Sequence, residues 1–571
     1  MATELRMPQL GLTMESGTIE KWLKSKGDTV SAGEAVVEIN TDKLTSVVES
    51  PVDGVILDIV ANEGDELPVQ AVIAHIGAPG EAVSADSGSS AEKAKAPESG
   101  KLSVAVVGGG PGGYVAAIRA SQLGAEVTLI EKQHLGGTCL NCGCIPTKCL
   151  IQSAELIYEL KNRAAQLGVI CPSVKVDMPQ VIANRQSVSD RLTGGVSALL
   201  KMNGVKRLEG TARFSGEKQL EVRLTDGSVK QLSPDRIILA VGSSAAVPGI
   251  PEIDGKSCIS STQALSMTDV PESLLILGGG VVGVELGYAY AAFGSKVTII
   301  ELADAILPQM DSELTRLGIA KMEELGIDIR LSTSVERIES DDRQVRAYCR
   351  SADGAEVVYE AQKLLLAAGR SANTSGLNFT PSGISESSGR IITNASLETV
   401  VPGVYAVGDC ADGYAQLAGT ASVMGEIAAE NALGGHLEYD EKTNPSCVHL
   451  GMDFACVGMT EDQVKASGIE YNVGKFPLSA NGKSIVLNGG EGMIKVITGK
   501  EYNEILGVHI IGPNASDLIA EGALAIGMEA TAEDVCAVIY AHPTVAEAVK
   551  EAVLHSQGRA IHTKNAAAKK R

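Results

Sequence analysis

Three cysteines lie close together in one glycine-rich stretch of the chain. The stretch reads Gly136-Gly137-Thr138-Cys139-Leu140-Asn141-Cys142-Gly143-Cys144-Ile145-Pro146-Thr147-Lys148. Cys139 and Cys144 could close a small ring, as a dithiol that is reversibly oxidised to a disulfide does. A partial zinc site is the alternative, although the nearest spare ligands, His134 and Cys149, do not give the usual zinc spacing. A third possibility, three unrelated core thiols, fits poorly beside so many glycines.

A candidate proton-transfer group lies near the end of the chain, in the run His542-Pro543-Thr544-Val545-Ala546-Glu547. Histidine changes its charge near neutral pH, and a carboxylate beside it fixes the ring tautomer and stabilises the imidazolium. The chain has eight histidines, and a single histidine is usually structural. His542 and Glu547 could form such an acid–base pair.

Two strand–turn–helix units must position this chemistry, and each carries a glycine fingerprint. The fingerprint glycines are Gly108, Gly110 and Gly113 in the first unit and Gly278, Gly280 and Gly283 in the second. Each fingerprint follows an apolar run, opens a helical pattern and is followed by a glutamate, Glu131 or Glu301, 23 residues after its first glycine. The glycines permit a tight turn, close approach of a pyrophosphate and helix–strand packing, and the glutamate accepts hydrogen bonds from a ribose. The sequence therefore predicts two dinucleotide sites.

The glutamate of the second unit also selects between nicotinamide cofactors. A site for NADP needs positive charge for the 2′-phosphate, typically an arginine. Glu301 is followed by Leu302, Ala303 and Asp304, without a basic residue. The second site is therefore predicted to bind NAD.

The cysteine stretch resembles the redox-active disulfide of the flavin disulfide reductases, and its Ile-Pro-Thr-Lys ending is most similar to that of the dihydrolipoamide dehydrogenases. The resemblance implies that Cys139 exchanges with substrate, that Cys144 lies against the flavin of FAD, and that Lys148 approaches the flavin ring. Cys142 departs from the usual pattern of the family. This third thiol could mispair or be inert, and we favour an inert thiol.

Further segments carry the same resemblance. The run from Thr399 to Asp409 is similar to the second FAD contact of the family, which implies that Gly408 and Asp409 contact FAD and that Asp409 binds the ribityl chain. Glu285, just past the second glycine loop, matches a family glutamate near the nicotinamide. The His542 motif resembles the family's His-Glu dyad, in which the histidine comes from the other subunit. A homodimer is then the smallest active unit.

The N-terminal region resembles a different module. Apolar runs alternate with turns, and the region repeats weakly within itself, because Gly27-Asp28 in its first half corresponds to Gly64-Asp65 in its second half. The segment Thr41-Asp42-Lys43-Leu44 lies between the two halves. This segment is similar to the lipoylation hairpin of 2-oxo acid dehydrogenase complexes, which implies a covalent lipoyl group on Lys43. Biotin carriers have methionine on both sides of the lysine, and that pattern is absent here. The implied partner is a lipoyl-carrying acyltransferase of a 2-oxo acid or acetoin dehydrogenase complex, or a glycine cleavage carrier.

Together these features predict a multidomain protein in which a small all-β lipoyl-type sandwich and a flexible linker precede an α/β flavoprotein with two dinucleotide-binding domains. Its last domain is a C-terminal α+β dimerisation domain. The predicted boundaries are 1–78 for the lipoyl domain, 79–101 for the linker, 102–250 for the FAD-binding domain, 251–370 for the NAD-binding domain, 371–443 for a central domain with the second FAD contact, and 444–571 for the dimerisation domain.

Charge and composition exclude some functions. The 571-residue chain has a net charge of −22, whereas a nucleic-acid partner requires a basic face. We find no export signal over residues 1–12 and no uncharged apolar run approaching about 20 residues, so we expect no membrane span and a cytoplasmic location. No metal site is expected.

Other members of the superfamily are alternatives. A mercuric reductase would have cysteines in an N-terminal domain and at the C-terminus, but residues 1–100 and 537–571 contain none. A glutathione-type reductase should prefer NADP, which Glu301 disfavours, and a non-catalytic assembly subunit would not need the candidate residues. Two segments depart from the family pattern, Asp412–Gly425 and Cys447–Asp453, and leave the flavin surroundings and the subunit interface open.

Overall fold

The structure is a computed structural model that describes residues 3–8, 16–40, 45–68, 71–77, 101–251, 253 and 257–565. The chain divides into two compact units, Met1–Gly100 and Lys101–Arg571, and each is described by itself. Lys43 and residues 79–100 of the predicted linker lie outside the described residues. Within the described part of the chain, no helix has both the length and the apolar character needed to cross a membrane.

The first unit is a sandwich of two four-stranded antiparallel sheets. Its strands are β1 (Thr3–Arg6), β2 (Ser16–Trp22), β3 (Thr29–Val30), β4 (Ala35–Asn40), β5 (Thr45–Glu49), β6 (Gly54–Ile59), β7 (Glu66–Pro68) and β8 (Val72–Gly77). The sheet orders are β1-β8-β6-β3 and β5-β4-β2-β7. Side chains such as Ile19, Ile39 and Ile56 are fully buried and form a separate core. The predicted all-β sandwich is confirmed.

The internal repeat of this unit produces two equivalent turns. Gly27 and Gly64 both adopt positive φ, +97° and +91°, a region that glycine enters without strain. The Gly27 N–H donates to the Ile56 carbonyl at 2.8 Å, and the Gly64 N–H donates to the Ile19 carbonyl at 2.8 Å. Strands β4 and β5, which flank the segment containing Lys43, pair antiparallel.

The second unit begins with the first dinucleotide-binding fold. Its elements are β9 (Ser103–Val107), α1 (Pro111–Gln122), β10 (Glu126–Glu131), α2 (Gly137–Cys142), α3 (Cys144–Asn162), α4 (Met178–Met202), β11 (Lys206–Gly216), β12 (Gln219–Leu224), β13 (Val229–Leu232), β14 (Arg236–Leu239) and β15 (Ser243–Ala245). Strands β11, β10, β9 and β14 are parallel neighbours in a seven-stranded sheet. The carboxyl ends of parallel strands therefore meet at one edge, where α/β folds bind nucleotides.

The second dinucleotide-binding fold repeats this arrangement. Its elements are β16 (Cys258–Ser260), α5 (Ser261–Ala264), β17 (Ser273–Leu277), α6 (Val281–Phe293), β18 (Lys296–Ile300), α7 (Ser312–Glu324), β19 (Asp328–Arg330), β20 (Ser334–Ser340), β21 (Val345–Arg350), β22 (Glu356–Ala361), β23 (Lys363–Leu366) and β24 (Arg370–Ala372). The parallel sheet has the order β16-β23-β17-β18-β19, and β20 to β22 form a separate antiparallel sheet.

Residues 371–443, which the sequence places in a domain of their own, contribute to the first dinucleotide-binding fold. They form β25 (Glu386–Ser387), β26 (Arg390–Ile391), β27 (Val404–Ala406) and α8 (Ala418–Ala432). Strand β27 pairs in parallel with β14. Apolar side chains of this segment, such as Ile391 and Met424, belong to the same buried core as Val106 and Ile237. This segment shares the first core because β27 pairs with β14 and is the edge strand of the first sheet.

The last part of the chain is an antiparallel sheet with helices. Its elements are β28 (Ser446–Val448), β29 (Asp453–Gly458), α9 (Glu461–Ser467), β30 (Tyr471–Pro477), α10 (Gly482–Asn488), β31 (Met493–Gly499), β32 (Ile505–Gly512), α11 (Ala515–Gly527), α12 (Ala532–Ala537) and α13 (Glu547–Ser556). The sheet order is β28-β29-β32-β31-β30. Helix α13 begins at Glu547, whose carboxylate accepts the Thr544 N–H at 2.8 Å.

A buried ion cluster joins this last sheet to the second dinucleotide-binding fold. The Lys495 ammonium, on β31, lies 2.8 Å from Asp311, 3.2 Å from Glu313 and 2.7 Å from Glu461. The side chains of Lys495 and Asp311 are each only 2% exposed. Because Asp311 and Glu313 lie at the start of α7, the cluster holds α7 against β31.

Candidate active site

The first glycine loop is shaped by close backbone contacts. Gly108 has a φ of +105°, and a Cβ there would lie 2.2 Å from the Ala240 carbonyl oxygen. A Cβ on Gly113 would lie 1.8 Å from the carbonyl oxygen of Gly108. For a Cβ built on Gly110, by contrast, the nearest atom would be 3.9 Å away. The first and third glycines are therefore required by packing, and the second leaves room for a ligand at the start of α1.

The second glycine loop has the same construction. Gly278 has a φ of +114°, with the Ala367 carbonyl oxygen 2.4 Å from the position of a Cβ, and a Cβ on Gly283 would lie 2.0 Å from Gly278. No heavy atom outside the immediate neighbourhood lies within 4 Å of a Cβ built on Gly280. The two loops therefore present equivalent open glycines at the start of α1 and α6.

The glutamates at the ends of β10 and β18 are fixed beside these loops. Glu131 accepts hydrogen bonds at 2.7 Å from the N–H groups of Gly109 and Gln133. Glu301 accepts the Gly279 N–H at 2.6 Å and the Ala303 N–H at 2.7 Å. An anchored carboxylate, an open glycine and a helix N-terminus are the groups that hold a ribose and a pyrophosphate. Both loops therefore fit dinucleotides.

The redox candidates lie at the junction of two helices. Cys139 is inside α2, Gly143 breaks the helical path, and Cys144 is the first residue of α3. The Cys139 and Cys144 side chains contact each other. A hydrogen bond from Cys139 and the positive charge of Lys148 lower the pKa of Cys144 to about 7. The same contact raises the pKa of Cys139, so Cys144 is the thiol poised to ionise.

The structure leaves the third thiol out of this contact. Cys142 is the last residue of α2 and is partly exposed. Among the described residues it forms no hydrogen bond with Cys139 or Cys144, and no group of three or more His, Cys, Asp or Glu side chains there could hold a metal ion. The geometry therefore favours the 139–144 pair over either pair that includes Cys142.

Lys148 and Glu285 form one ion pair across the two nucleotide folds. The Lys148 ammonium lies 2.8 Å and 2.9 Å from the two Glu285 carboxylate oxygens. Glu285 is buried on α6 and also accepts the His449 N–H at 3.0 Å. Lys148 is one helical turn beyond Cys144, so this pair links the dithiol with the second glycine loop.

Asp409 belongs to a polar cluster that the sequence did not reveal. It follows β27 in a short 3-10 helix, Gly408–Cys410, and accepts a hydrogen bond from the Ser243 hydroxyl. Arg370 donates to the Ser243 hydroxyl at 2.7 Å, and its Nε atom lies 3.6 Å from Asp409. The available sequence signal was a serine directly after an apolar strand and a glycine, at the carboxyl edge of the sheet.

The segment from Cys447 to Asp453, which departs from the family pattern, contacts this site. The His449 ring lies 3.2 Å from the Asp453 carboxylate, and hydrogen bonding to Asp453 raises the pKa of His449 against the effect of burial. Gly451 has a φ of +70°, and a Cβ there would lie 2.2 Å from the Tyr288 hydroxyl. This segment therefore packs closely on α6, where the His449 N–H holds Glu285.

The His542 ring is held by the predicted carboxylate. Its Nδ1 atom lies 2.9 Å from Glu547, whose other oxygen accepts the Thr544 N–H. That backbone bond, then the His542 bond, lowers the pKa of Glu547. The His542 side chain is 81% exposed, and no hydrogen bond within the described part of the chain joins it to Cys139 or Cys144. The structure therefore brings His542 and Glu547 together and leaves the far side of the ring open.

Comparison with known proteins places this geometry in a family. Residues 102–425 match the pyridine nucleotide-disulphide oxidoreductase family, residues 444–553 match its dimerisation domain, and residues 3–76 match the biotin–lipoyl domain described as biotin-requiring enzyme. The chain belongs to the pyridine nucleotide-disulphide oxidoreductases. The predicted membership, the multidomain fold class and the two cofactors FAD and NAD are confirmed, and the N-terminal unit is the predicted lipoyl-type domain.

Individual relatives cover the catalytic part of the chain. It is 41% identical over 465 residues to dihydrolipoyl dehydrogenase 2, mitochondrial, of Arabidopsis thaliana, with 80% of this chain and 91% of that protein covered. It is 39% identical to dihydrolipoyl dehydrogenase of Bacillus subtilis, with 80% and 98% covered. Among solved structures, LpdA of Mycobacterium tuberculosis has a TM-score of 0.74 at 25% identity, covering 79% of this chain and 99% of that one.

Proposed function

We propose that the chain is a dihydrolipoyl dehydrogenase, which oxidises protein-bound dihydrolipoyl groups to lipoyl and reduces NAD. The observation that carries this proposal is the contact between Cys139 and Cys144, with the Lys148–Glu285 pair joining the dithiol to the second nucleotide fold. Relatives named dihydrolipoyl dehydrogenase match at about 40% identity, and they support the choice of substrate.

The exchange step uses the two cysteines in different roles. In the oxidised enzyme, a substrate thiolate attacks Cys139, breaks the 139–144 disulfide and releases the Cys144 thiolate. The second substrate thiol then attacks the mixed disulfide, which frees Cys139 and leaves the lipoyl disulfide. The positive charge of Lys148, which lowers the pKa of Cys144, stabilises the Cys144 thiolate as the leaving group.

The proton of the attacking thiol goes to His542. The Glu547 carboxylate holds Nδ1 of the ring, so Nε2 is the atom that can accept the proton. In this proposal His542 acts on the dithiol of the partner subunit, which makes the homodimer the active unit. Both residues lie within the matched dimerisation domain, and the high exposure of the His542 ring fits a role across a subunit boundary.

The two cofactors would be held by the residues that frame the open glycines. FAD would be held by Gly110, Glu131, Lys148 and Asp409. NAD would be held by Gly280, Glu285 and Glu301. Bound FAD and NAD supply the redox chemistry, which carries two electrons from the Cys144 thiolate to the nicotinamide. The Lys148 ammonium balances the thiolate charge, and Glu285 fixes the position of Lys148.

Purified enzyme should oxidise free dihydrolipoamide with NAD at a kcat/KM at least about 100-fold above that with NADP, which corresponds to roughly 2.7 kcal/mol. The 2′-phosphate of NADP would meet the Glu301 carboxylate. Arg330 on the neighbouring strand would not offset this repulsion of the phosphate, because its guanidinium already lies 3.0 Å from Asp328. Steady-state kinetics with both nucleotides test this prediction.

Glu301→Gln is the matched control, because it removes the negative charge and should narrow the preference for NAD. Equal efficiencies with the two nucleotides would overturn the assignment of the second site. No turnover of dihydrolipoamide with either nucleotide would overturn the proposed function itself.

We further propose that the lipoyl group on Lys43 is a tethered substrate of this enzyme. The carrier and the oxidoreductase share one chain, and a tether of about 20 residues can keep a carrier at a millimolar effective concentration. Intact protein, Lys43→Ala and a truncated chain beginning at Lys101 should oxidise free dihydrolipoamide at similar rates. Only the intact, lipoylated protein should accept electrons efficiently from a lipoyl-carrying acyltransferase at low concentration.

Equal flux from the acyltransferase into all three proteins would show that the N-terminal domain has a docking role and is not a carrier. The acyltransferase partner, whether from a 2-oxo acid or an acetoin dehydrogenase complex, and the cytoplasmic location both stay predictions. The same holds for the glycine cleavage carrier as an alternative partner.

A further inference from the structure

The turn between β28 and β29 is closed by a histidine–carboxylate bond. His449 follows the last residue of β28, Asp453 is the first residue of β29, and the two strands pair beside the turn. The His449 Nδ1 atom lies 3.2 Å from one Asp453 oxygen. The other Asp453 oxygen accepts the Ser516 hydroxyl of α11 at 2.7 Å. The two ends of the turn are therefore fixed to each other, and one of them is fixed to α11.

The same turn supplies a backbone donor to the Lys148–Glu285 ion pair. The His449 N–H donates to Glu285 Oε1 at 3.0 Å, and the Lys148 ammonium lies 2.8 Å from the same oxygen. The Glu285 side chain is only 4% exposed, so water does little to compensate its charge. A buried carboxylate that loses a hydrogen-bond donor acts more strongly on the charges around it. The position of the His449 backbone therefore affects the field beside Lys148.

The turn also packs directly against α6, the helix that carries Glu285. Gly451 lies inside the turn with a φ of +70°, and a Cβ there would lie 2.2 Å from the Tyr288 hydroxyl. Tyr288 is three residues beyond Glu285, so the two side chains share a face of α6. This close approach places the His449 N–H against the Glu285 carboxylate, and a looser turn would withdraw it.

Charged groups from three elements act on the His449 ring. They come from β29, α3 and α6 and are Asp453, Lys148, Glu155 and Glu285. The hydrogen bond to Asp453 is the largest cause of the raised pKa of His449, and burial and the charge of Lys148 oppose it. The bond between ring and carboxylate is thus favourable in spite of burial, which fits a role in holding the turn.

We propose that His449 and Asp453 act as a positioning pair, which keeps the His449 N–H on Glu285 and so holds the Lys148 ammonium beside the dithiol. This inference deepens the proposed function and rests on it, because the dithiol is taken as the reaction centre. When the ring loses Asp453, the turn loosens and the N–H leaves Glu285. The Glu285 charge then acts more strongly on Cys144 and draws Lys148 away. Both effects raise the pKa of Cys144, since Lys148 lowers it and Glu285 raises it.

The test is the pH dependence of the rate at which iodoacetamide alkylates Cys139 and Cys144 in the reduced, FAD-loaded full-length enzyme, followed by peptide mass spectrometry. The reagent attacks thiolates, so the profile gives the apparent pKa of the coupled dithiol. His449→Phe keeps a ring and removes its bond to Asp453, so the apparent pKa should rise by about 0.5 units or more. His449→Asn keeps an N–H donor near the position of Nδ1, so the apparent pKa should stay within about 0.2 units of that of the unmodified enzyme.

Two further variants separate positioning from a general disturbance of the domain. Ser516→Ala removes the second anchor of Asp453 and leaves the ring in place, so the apparent pKa should rise by a smaller amount. His562→Phe is the matched control, because it breaks another histidine–carboxylate bond of the same domain, in which His562 lies 2.9 Å from Glu551. That bond does not involve Glu285, so the apparent pKa should shift by less than about 0.1 units.

A role in packing alone gives the opposite ranking of the variants. If only the volume of the ring mattered, His449→Phe would resemble the unmodified enzyme and His449→Asn would be the more disturbed, and that result would overturn the inference. Unchanged profiles in both His449→Phe and Ser516→Ala would overturn it as well, and Ser516→Ala decides alone if His449→Phe does not fold. Because the titration needs no turnover, an unmodified enzyme that fails to oxidise dihydrolipoamide would contradict the proposed function and leave the titration result standing.

Discussion

Replacing Cys139 or Cys144 by serine is expected to lower dihydrolipoamide oxidation by at least about 1,000-fold, because neither variant can form the disulfide that accepts the electrons. FAD should stay bound, since the glycine loop at Gly110 and the Asp409 cluster are untouched. Steady-state turnover with NAD and the visible absorbance of the flavin measure the two effects separately.

Cys142→Ser is the matched control for this prediction. It removes a thiol of the same stretch that makes no hydrogen bond with Cys139 or Cys144 among the described residues, so turnover should change by less than about twofold. If Cys142→Ser were as damaging as the other two variants, the pairing of Cys139 with Cys144 would be wrong.

Lys495→Met is expected to lower the free energy of unfolding by about 3 to 5 kcal/mol, because it leaves the buried Asp311 carboxylate without its counter-charge. Burial by itself would raise the pKa of Asp311, but the hydrogen bonds and charge of Lys495 lower it overall. Burial likewise raises the pKa values of Glu313 and Glu461, and hydrogen bonds lower them overall, from Lys475 and Lys495 to Glu313 and from Lys495 and Lys465 to Glu461. Chemical denaturation of the full chain, followed by flavin fluorescence, measures the loss.

The pH dependence of this stability has a definite sign. Carboxyl groups whose pKa is lowered by folding stabilise the protein above their unfolded pKa, and this contribution disappears as the pH falls through the folded values. The unmodified protein should therefore lose more stability in acid than Lys495→Met does.

Two variants separate the ion cluster from general effects of substitution. In the Lys495→Met background, Asp311→Asn removes the uncompensated charge. The free energy of unfolding of the double variant should therefore fall by less than the sum of the decreases in the two single variants. Lys500→Met removes an exposed lysine that lies 3.2 Å from Glu470 and should cost less than about 1 kcal/mol. A loss from Lys495→Met as small as that from Lys500→Met would contradict the stabilising role of the cluster.

Local spacing in the sequence was enough to predict the components of the site. The glycine fingerprints, the glutamates 131 and 301, and the cysteine stretch each depend on residues within one strand–turn–helix unit. Each of these features works through residues that are close in sequence, so it requires the same local geometry wherever it lies in the fold. The structure places the glycine loops and the two glutamates at the ends of β9, β10, β17 and β18, where the backbone contacts of Gly108 and Gly278 explain why glycine is needed. The cysteine stretch forms α2 and the start of α3.

The tertiary structure alone decided which distant side chains meet. Lys148 contacts Glu285 across 137 residues, Ser243 contacts Asp409 across 166 residues, and Lys495 contacts Asp311 across 184 residues. No local period encodes such pairs, because they depend on strand order and on how the folds pack together. The sequence by itself determined the two nucleotide loops, the dithiol and the His542–Glu547 motif. Only the fold determined the Lys148–Glu285 ion pair and the addition of β27 to the first sheet, since each requires segments that are far apart in the chain to lie side by side.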